Sequence, residues 1–203
     1  MTKIKLCGLS REIDIETANF LLPEYIGFVF ATRSRRYVSP ARANELKSLL
    51  DSRIQSVGVF VGERVEVVAE LLNSGLIDIA QLHGEETDEY MTGLRKLSSK
   101  PIIKAFRLDS PKDAELAQDS AADIVLLDSG TGGEGRTFNW ELAKMVKRPY
   151  FLAGGLTVDN IVKATTILEP YAVDVSSGIE TDGVKDKVKM AAFVSAVRKD
   201  ERI

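Results

Sequence analysis

The sequence predicts a (β/α)8 barrel, a single-domain α/β TIM-barrel fold in which helices surround a closed cylinder of eight parallel strands. Eight short β-rich runs recur at a fairly regular interval, and helix-like stretches lie between them. Strict alternation favours parallel strands joined by right-handed crossovers, and eight such units close into a barrel. An open doubly wound sheet shares the alternation and is the alternative.

The predicted strands have almost continuous apolar centres, which is typical of strands that helices cover. The chain of 203 residues contains no linker and no low-complexity segment, so residues 1–203 are expected to form one domain. The strands are Ile4–Cys7, Tyr25–Phe30, Val57–Val61, Ile77–His83, Pro101–Phe106, Asp123–Asp128, Tyr150–Gly154 and Ala172–Ser176.

Amphipathic spacing and start signals locate the clearest helices. Ser39 before Pro40 is an N-cap followed by proline at the first helical position, and Thr157 is the expected cap of a later helix. The helices delineated in this way are Glu12–Leu22, Ala41–Leu50, Val65–Leu72, Val158–Leu168 and Val184–Lys199.

Composition predicts an ordinary globular protein and excludes several function classes. The hydrophobic share is 44%, the charged share is 28% and the net charge is −3, so a nucleic-acid-binding surface is not expected. No signal peptide and no membrane span is expected. The single cysteine excludes an internal disulfide and favours the cytoplasm. A monomer and a homodimer are both compatible with this composition.

Small residues at the last two strand ends predict a phosphate site. Working residues of such barrels lie at the carboxyl ends of the strands and in the loops that follow. Backbone amides there can converge on a dianion because glycine lets a ligand approach closely. The alternative is that these glycines only form turns. The candidate residues are Gly154, Gly155, Ser176, Ser177 and Gly178.

Cys7 and Asp128 end two other strands and are candidates for proton transfer. A thiolate at Cys7 would act as a base or nucleophile, whereas a lone cysteine is often only a small buried hydrophobe. A carboxyl group acts as an acid near neutral pH only where burial disfavours its charge. The alternative for Asp128 is an ion pair with an inward lysine or arginine.

Arg36 and His83 stand in the same set of strand-end positions. Arg36 could hold a carboxylate through two parallel hydrogen bonds, or be a solvated loop arginine. His83 is the only histidine, and its position is compatible with catalysis or with holding neighbouring loops.

Strand alternation also predicts charged side chains inside the barrel. Lys5 shares a face with Cys7 and Asp174 shares one with Ser176, so both are expected to point inward, and Lys104 is expected to join them. Buried charges must be paired, which favours a structural ion network. A lysine that forms a Schiff base with a substrate is the competing chemistry.

These strand-end segments resemble the phosphoribosylanthranilate isomerase family of tryptophan biosynthesis. They occur in the family's order and cover nearly the whole chain. The segments are KLCGL (5–9), GFVF (27–30), SRRYVSP (34–40), VGVFV (57–61), QLHGEE (81–86), LLD (126–128), GRTFNW (135–140), AGGL (153–156) and DVSSGIE (174–180).

The resemblance implies an aldose-to-ketose isomerase that acts on N-(5-phosphoribosyl)anthranilate by an Amadori rearrangement. It implies that Cys7 is the general base, Asp128 the general acid and Arg36 the residue that handles the anthranilate end. It further implies that Gly154, Gly155, Ser176, Ser177 and Gly178 hold the phosphate. No metal or organic cofactor is implied.

Two residues depart from the family pattern, Glu134 and Asn139 in the loop after the sixth strand, where a lid and an effect on substrate affinity are expected. The sequence leaves two other functions open. One is a Schiff-base aldolase that uses Lys5 or Lys104. The other is a barrel that binds phosphate without catalysis.

Overall fold

Eight parallel strands close into the predicted barrel in the computed structural model, which describes residues 2–128 and 140–199. Strand β1 pairs with both β2 and β8, which closes the cylinder. The predicted (β/α)8 fold is therefore confirmed. The strands are β1 (Lys3–Cys7), β2 (Tyr25–Val29), β3 (Gln55–Phe60), β4 (Ile79–Leu82), β5 (Ile102–Arg107), β6 (Ile124–Asp128), β7 (Tyr150–Ala153) and β8 (Ala172–Val175).

A helix follows each strand, including the three between β4 and β7 that amphipathic spacing did not delineate. Ser39 caps its helix as predicted, because its side chain accepts a hydrogen bond from the Arg42 amide. Within residues 2–128 and 140–199, no helix has the length and apolar character that crossing a membrane requires. The helices are α1 (Glu12–Leu21), α2 (Pro40–Ser48), α3 (Val65–Asn73), α4 (Asp88–Leu97), α5 (Pro111–Asp119), α6 (Trp140–Met145), α7 (Ile161–Leu168) and α8 (Lys187–Lys199).

Alternate residues of each strand face the barrel interior or the helices. Tyr25, Val57, Ile79, Leu126 and Phe151 belong to one buried interior cluster. Their neighbours along the strands belong to a larger cluster between the sheet and the helices. Because side chains alternate with a period of two, this pattern sets which residues reach the carboxyl-terminal mouth of the barrel.

A buried ion pair lies among the interior side chains. Lys5 Nζ is 2.9 Å from Asp174 Oδ2 and 3.0 Å from Asp174 Oδ1, and the two residues are register partners on β1 and β8. Burial lowers the pKa of Lys5, but the charges and hydrogen bonds of Asp174 and Cys7 together outweigh this effect, and the pKa lies above its ordinary value. The predicted pairing of Lys5 with Asp174 is confirmed.

Lys104 does not join this pair, so that part of the prediction is wrong. Its neighbour Ile103 faces the interior, which turns Lys104 outward. Lys104 Nζ instead lies 3.1 Å from Glu86 Oε2 and donates to the Gly84 carbonyl oxygen. Glu86 also accepts a hydrogen bond from the Gly62 amide, so these contacts join the loops that follow β3 and β4.

The predicted cap at Thr157 is also wrong, because α7 begins at Ile161. Asn160 occupies the position before the helix, and its side chain forms hydrogen bonds to the backbone of the preceding turn. Its Oδ1 accepts a hydrogen bond from the Thr157 amide at 2.9 Å. The segment from 157 to 160 is therefore a turn that holds the loop after β7.

The last helix begins at Lys187 rather than at the predicted Val184. A hairpin of β9 (Glu180–Thr181) and β10 (Val184–Lys185) precedes it. Asp182 and Gly183 have φ values of 52° and 79° at the turn. Asp-Gly is a common pair at tight hairpin turns that require positive φ, so the sequence contained a signal for this hairpin.

Stability should depend strongly on the pairing of Lys5 with Asp174. Asp174→Ala would leave the Lys5 charge buried without its partner, so we expect the free energy of unfolding to fall by about 3–5 kcal/mol in urea titrations. Replacing both residues with apolar side chains should recover much of this loss. Glu141→Gln, which removes an exposed contact to Lys144, should change stability by less than about 1 kcal/mol. Equal losses of stability in Asp174→Ala and Glu141→Gln would contradict the structural role of the buried pair.

Candidate active site

A cavity of about 500 Å³ opens at the mouth formed by the carboxyl ends of the strands. This volume lies in the range that small-molecule sites occupy. Every candidate residue except Gly178 lines it: Cys7, Arg36, Asp128, Gly154, Gly155, Ser176 and Ser177.

Cys7 lies at the end of β1 with its side chain at the floor of the cavity. A Cβ atom on Gly27 of the neighbouring strand would lie 2.7 Å from Cys7 Sγ, so glycine is needed there for the thiol to fit. Burial raises the pKa of the Cys7 thiol, and the ammonium of Lys5, which lowers it, offsets only part of this effect. The thiol is therefore harder to ionise than a free cysteine.

Asp128 ends β6, across the mouth from β1. Its Oδ2 lies 3.4 Å from His83 Nε2, and the amide nitrogen of Gln81 lies 2.9 Å from His83 Nδ1. His83 therefore lies between Gln81 on β4 and Asp128 at the end of β6. The predicted loop from Ser129 to Thr137, with Glu134, and the nearby Asn139 lie outside the described residues.

The turn after β7 is built from the two predicted glycines. Gly154 and Gly155 have φ values of 86° and 61°, which glycine adopts without strain. Asn160 Nδ2 donates to the Gly155 carbonyl oxygen at 2.9 Å. The C=O and N–H of a trans peptide point in opposite directions, so the Leu156 amide points away from Asn160. Among residues 2–128 and 140–199, no atom lies within 4 Å of the place where a Cβ of Gly155 would be.

The segment after β8 holds the strands together at the mouth. Ser176 Oγ donates to the Cys7 carbonyl oxygen at 3.1 Å and lies 3.1 Å from Lys185 Nζ. A short 3-10 helix then spans Ser177–Ile179. Gly178 packs so closely on the Leu156 carbonyl oxygen that no Cβ would fit, and it is not among the residues that line the cavity.

Arg36 is not a solvated loop side chain. Its Nε and Nη2 donate to the two carboxylate oxygens of Glu180 at 2.6 and 2.8 Å. Its stem crosses the end of β1, where a Cβ on Gly8 would lie 2.6 Å from Arg36 Cδ. Burial raises the pKa of Glu180, but the hydrogen bonds from Arg36 and Lys185 outweigh this effect and bring the pKa down to about 2.

Several side chains around the cavity were not assigned a role from the sequence. Gln81 sits two residues before His83 on the inward face of its strand, so the alternation rule could have found it. Glu180 and Lys185 lie in the two-residue strands β9 and β10, and Asn160 lies in the turn before α7, so none of them belongs to a run long enough to show a periodicity. Within the described residues, no group of three or more His, Cys, Asp or Glu side chains is arranged to hold a metal ion.

Comparisons with known proteins agree with this geometry. The family model described as N-(5'phosphoribosyl)anthranilate (PRA) isomerase matches residues 4–196. The N-(5'-phosphoribosyl)anthranilate isomerase of Endomicrobium trichonymphae is 44% identical over 202 residues, covering 98% of this chain and 99% of the relative.

Solved structures of the same family superpose on the whole barrel. Phosphoribosyl anthranilate isomerase from Thermus thermophilus is 34% identical with a TM-score of 0.87, covering 98% of this chain and 99% of that one. A second isomerase structure, in complex with reduced 1-(o-carboxyphenylamino)-1-deoxyribulose 5-phosphate, is 31% identical with a TM-score of 0.86, covering 98% and 100%. The chain belongs to the N-(5'-phosphoribosyl)anthranilate isomerase family.

Proposed function

We propose that this chain converts N-(5-phosphoribosyl)anthranilate to 1-(2-carboxyphenylamino)-1-deoxyribulose 5-phosphate in tryptophan biosynthesis. The observation that carries the proposal is a thiol and a carboxyl group on β1 and β6 that share one cavity. The compound named in the second solved relative carries a phosphate and a carboxylate. The cavity offers glycine-rich loops for the first group and Arg36 for the second.

Asp128 acts first in the proposed mechanism, as general acid. It protonates the ring oxygen of the furanose, the bond between C1′ and that oxygen breaks, and a protonated imine forms between C1′ and the amine nitrogen. Bound substrate excludes water and adds negative charge, both of which favour the protonated form of a carboxyl group.

Cys7 then acts as general base. Its thiolate takes the proton from C2′, a double bond forms between C1′ and C2′, and the electron pair of the imine returns to nitrogen. The resulting enol loses its hydroxyl proton and gains a proton at C1′, which leaves a ketone at C2′. The steps move protons within one substrate, so no external electron acceptor is required.

A Schiff-base aldolase fits the lysines of the barrel poorly. A nucleophilic lysine must be neutral, whereas the carboxylate of Asp174 keeps Lys5 protonated. Lys104 faces away from the interior and contacts Glu86. Both lysines therefore have structural partners in place of a substrate carbonyl.

Substitution of the proposed base or acid should greatly slow turnover without preventing binding. We expect Cys7→Ser and Asp128→Asn each to lower kcat by about 100-fold to 10,000-fold, because each removes one proton-transfer group. The substrate is generated in situ, and the decay of its anthranilate-type fluorescence is followed beyond the spontaneous rate. Binding of the reduced product analogue should persist in both variants.

Three outcomes would contradict this proposal. Wild-type kcat in either variant would remove that residue from the mechanism. Trapping of substrate on a lysine by borohydride would favour the aldolase chemistry instead. A folded wild-type protein that binds the product analogue tightly without turnover would favour a non-catalytic phosphate-binding barrel.

Alkylation of Cys7 should report the raised pKa of its thiol. Cys7 is the only cysteine, so iodoacetamide labelling measured by mass spectrometry follows this residue alone. Since only the thiolate reacts and burial raises the thiol pKa, labelling should increase about tenfold per pH unit through pH 8.5, where a free thiol is half ionised. A plateau below that pH would contradict the effect of burial. Product analogue should protect the thiol if it occupies the same cavity.

A methyl group on Gly155 should weaken phosphate binding. Gly155→Ala places a Cβ at the proposed phosphate end, so we expect KM and the inhibition constant of inorganic phosphate to rise about tenfold or more. Gly75→Ala is the matched control, because Gly75 also has positive φ and also has open space around the position that a Cβ would take, but it lies before β4 at the opposite end of the barrel. Similar KM values for the two variants would argue against a phosphate site at Gly155.

A further inference from the structure

The loops that follow β2 and β8 meet over the end of β1, where three cations surround one carboxylate. Besides Arg36, Glu180 accepts hydrogen bonds from Arg35 Nη2 at 2.7 Å and from Lys185 Nζ at 2.6 Å. The side chain of Glu180 is only 4% exposed. The carboxylate is therefore buried beside the mouth, where Arg35 and Arg36 line the cavity.

Glu180 contacts one edge of the Arg36 guanidinium and leaves another edge available. A guanidinium has five N–H donors in a planar fork, and Glu180 uses the edge formed by Nε and Nη2. Within residues 2–128 and 140–199, Glu180 is the one acceptor that this guanidinium contacts. The edge formed by Nη1 and Nη2 can therefore bind a second carboxylate through two parallel hydrogen bonds.

The position of Arg36 is restricted along its whole length. The aliphatic stem of Arg36 passes over Gly8, the residue that follows Cys7. A side chain at position 8 would occupy the same space as this stem. The head of Arg36 is held by Glu180, which at a pKa of about 2 remains ionised across the working pH range. An arginine that is already fixed loses little further side-chain entropy when a ligand binds.

We propose that Glu180 is a positioning residue that aims the free edge of Arg36 at the carboxylate of the anthranilate ring. The inference rests on the proposed function and adds a residue that sets affinity for one end of the substrate. Glu180 acts through Arg36, so its effect falls on substrate binding and not on the proton transfers at Cys7 and Asp128.

The test compares Glu180→Gln with the wild type on N-(5-phosphoribosyl)anthranilate and on its aniline counterpart, which lacks the carboxylate. For the first substrate, KM should rise about tenfold or more while kcat stays within about threefold, because a charged contact that holds Arg36 is lost. For the aniline substrate the variant should match the wild type. Adding Glu180→Gln to Arg36→Ala should cause no further loss, since one acts through the other.

Glu12→Gln is the matched control, because Glu12 also contacts an arginine, Arg42, but on an exposed face. It should leave the kinetics of both substrates unchanged. Equal losses of Glu180→Gln on both substrates, additive losses in the double variant, or a reduced kcat with unchanged KM would overturn the role of Glu180 alone.

A variant that does not fold would be replaced by Glu180→Asp, which keeps the charge but shortens the side chain. It should raise KM for the anthranilate substrate and not for the aniline substrate, and equal effects would again overturn the role. A wild-type protein that turns over neither substrate would overturn the proposed function together with this inference. The two failures are therefore distinguishable.

Discussion

The contact between Lys5 and Asp174 joins the first strand of the barrel to the last, and the site is built on that junction. Two residues beyond each partner, the same strand faces present Cys7 and Ser176 at the mouth. The Ser176 hydroxyl bonds to the Cys7 carbonyl oxygen and so repeats the junction one layer higher. Because buried charges are stable only when paired, the register of β1 against β8 is set by electrostatics as well as by backbone hydrogen bonds.

The carboxylate that stabilises this junction also restrains its chemistry. Burial raises the pKa of the Cys7 thiol and the negative charge of Asp174 raises it further, whereas the ammonium groups of Lys5 and Lys185 lower it by less. Asp174 also neutralises Lys5, whose charge would otherwise favour the thiolate more strongly. Pairing this lysine favours the folded state, whereas leaving it unpaired would favour the thiolate. Stability and reactivity therefore place opposite demands on Asp174.

Most of the fold and much of the site follow from alternation along the strands. Regular β-rich runs predict the barrel, and counting back from Cys7 and Ser176 predicts that Lys5 and Asp174 meet. The same counting gives no direction for Lys104, because no candidate site residue at the end of β5 indicates which face of that strand points inward. The contact of Arg36 with Glu180 joins the loop after β2 to the hairpin after β8, 144 residues apart, and local patterns contain no information on such a pairing. The hairpin at Asp182 and Gly183 was predictable from its turn residues.

Lys5 and Asp174 are 169 positions apart, which has a consequence for synthesis on the ribosome. The amino-terminal strand emerges early, but its lysine has no partner until almost the whole polypeptide has been translated. Non-local contacts of this kind form late and slow folding, since loop closure precedes their stabilising effect. A nascent or prematurely terminated chain that lacks the eighth strand offers Lys5 no carboxylate, and burying the lysine without one would be costly. Closure of the barrel and completion of its mouth therefore both wait for the last strand.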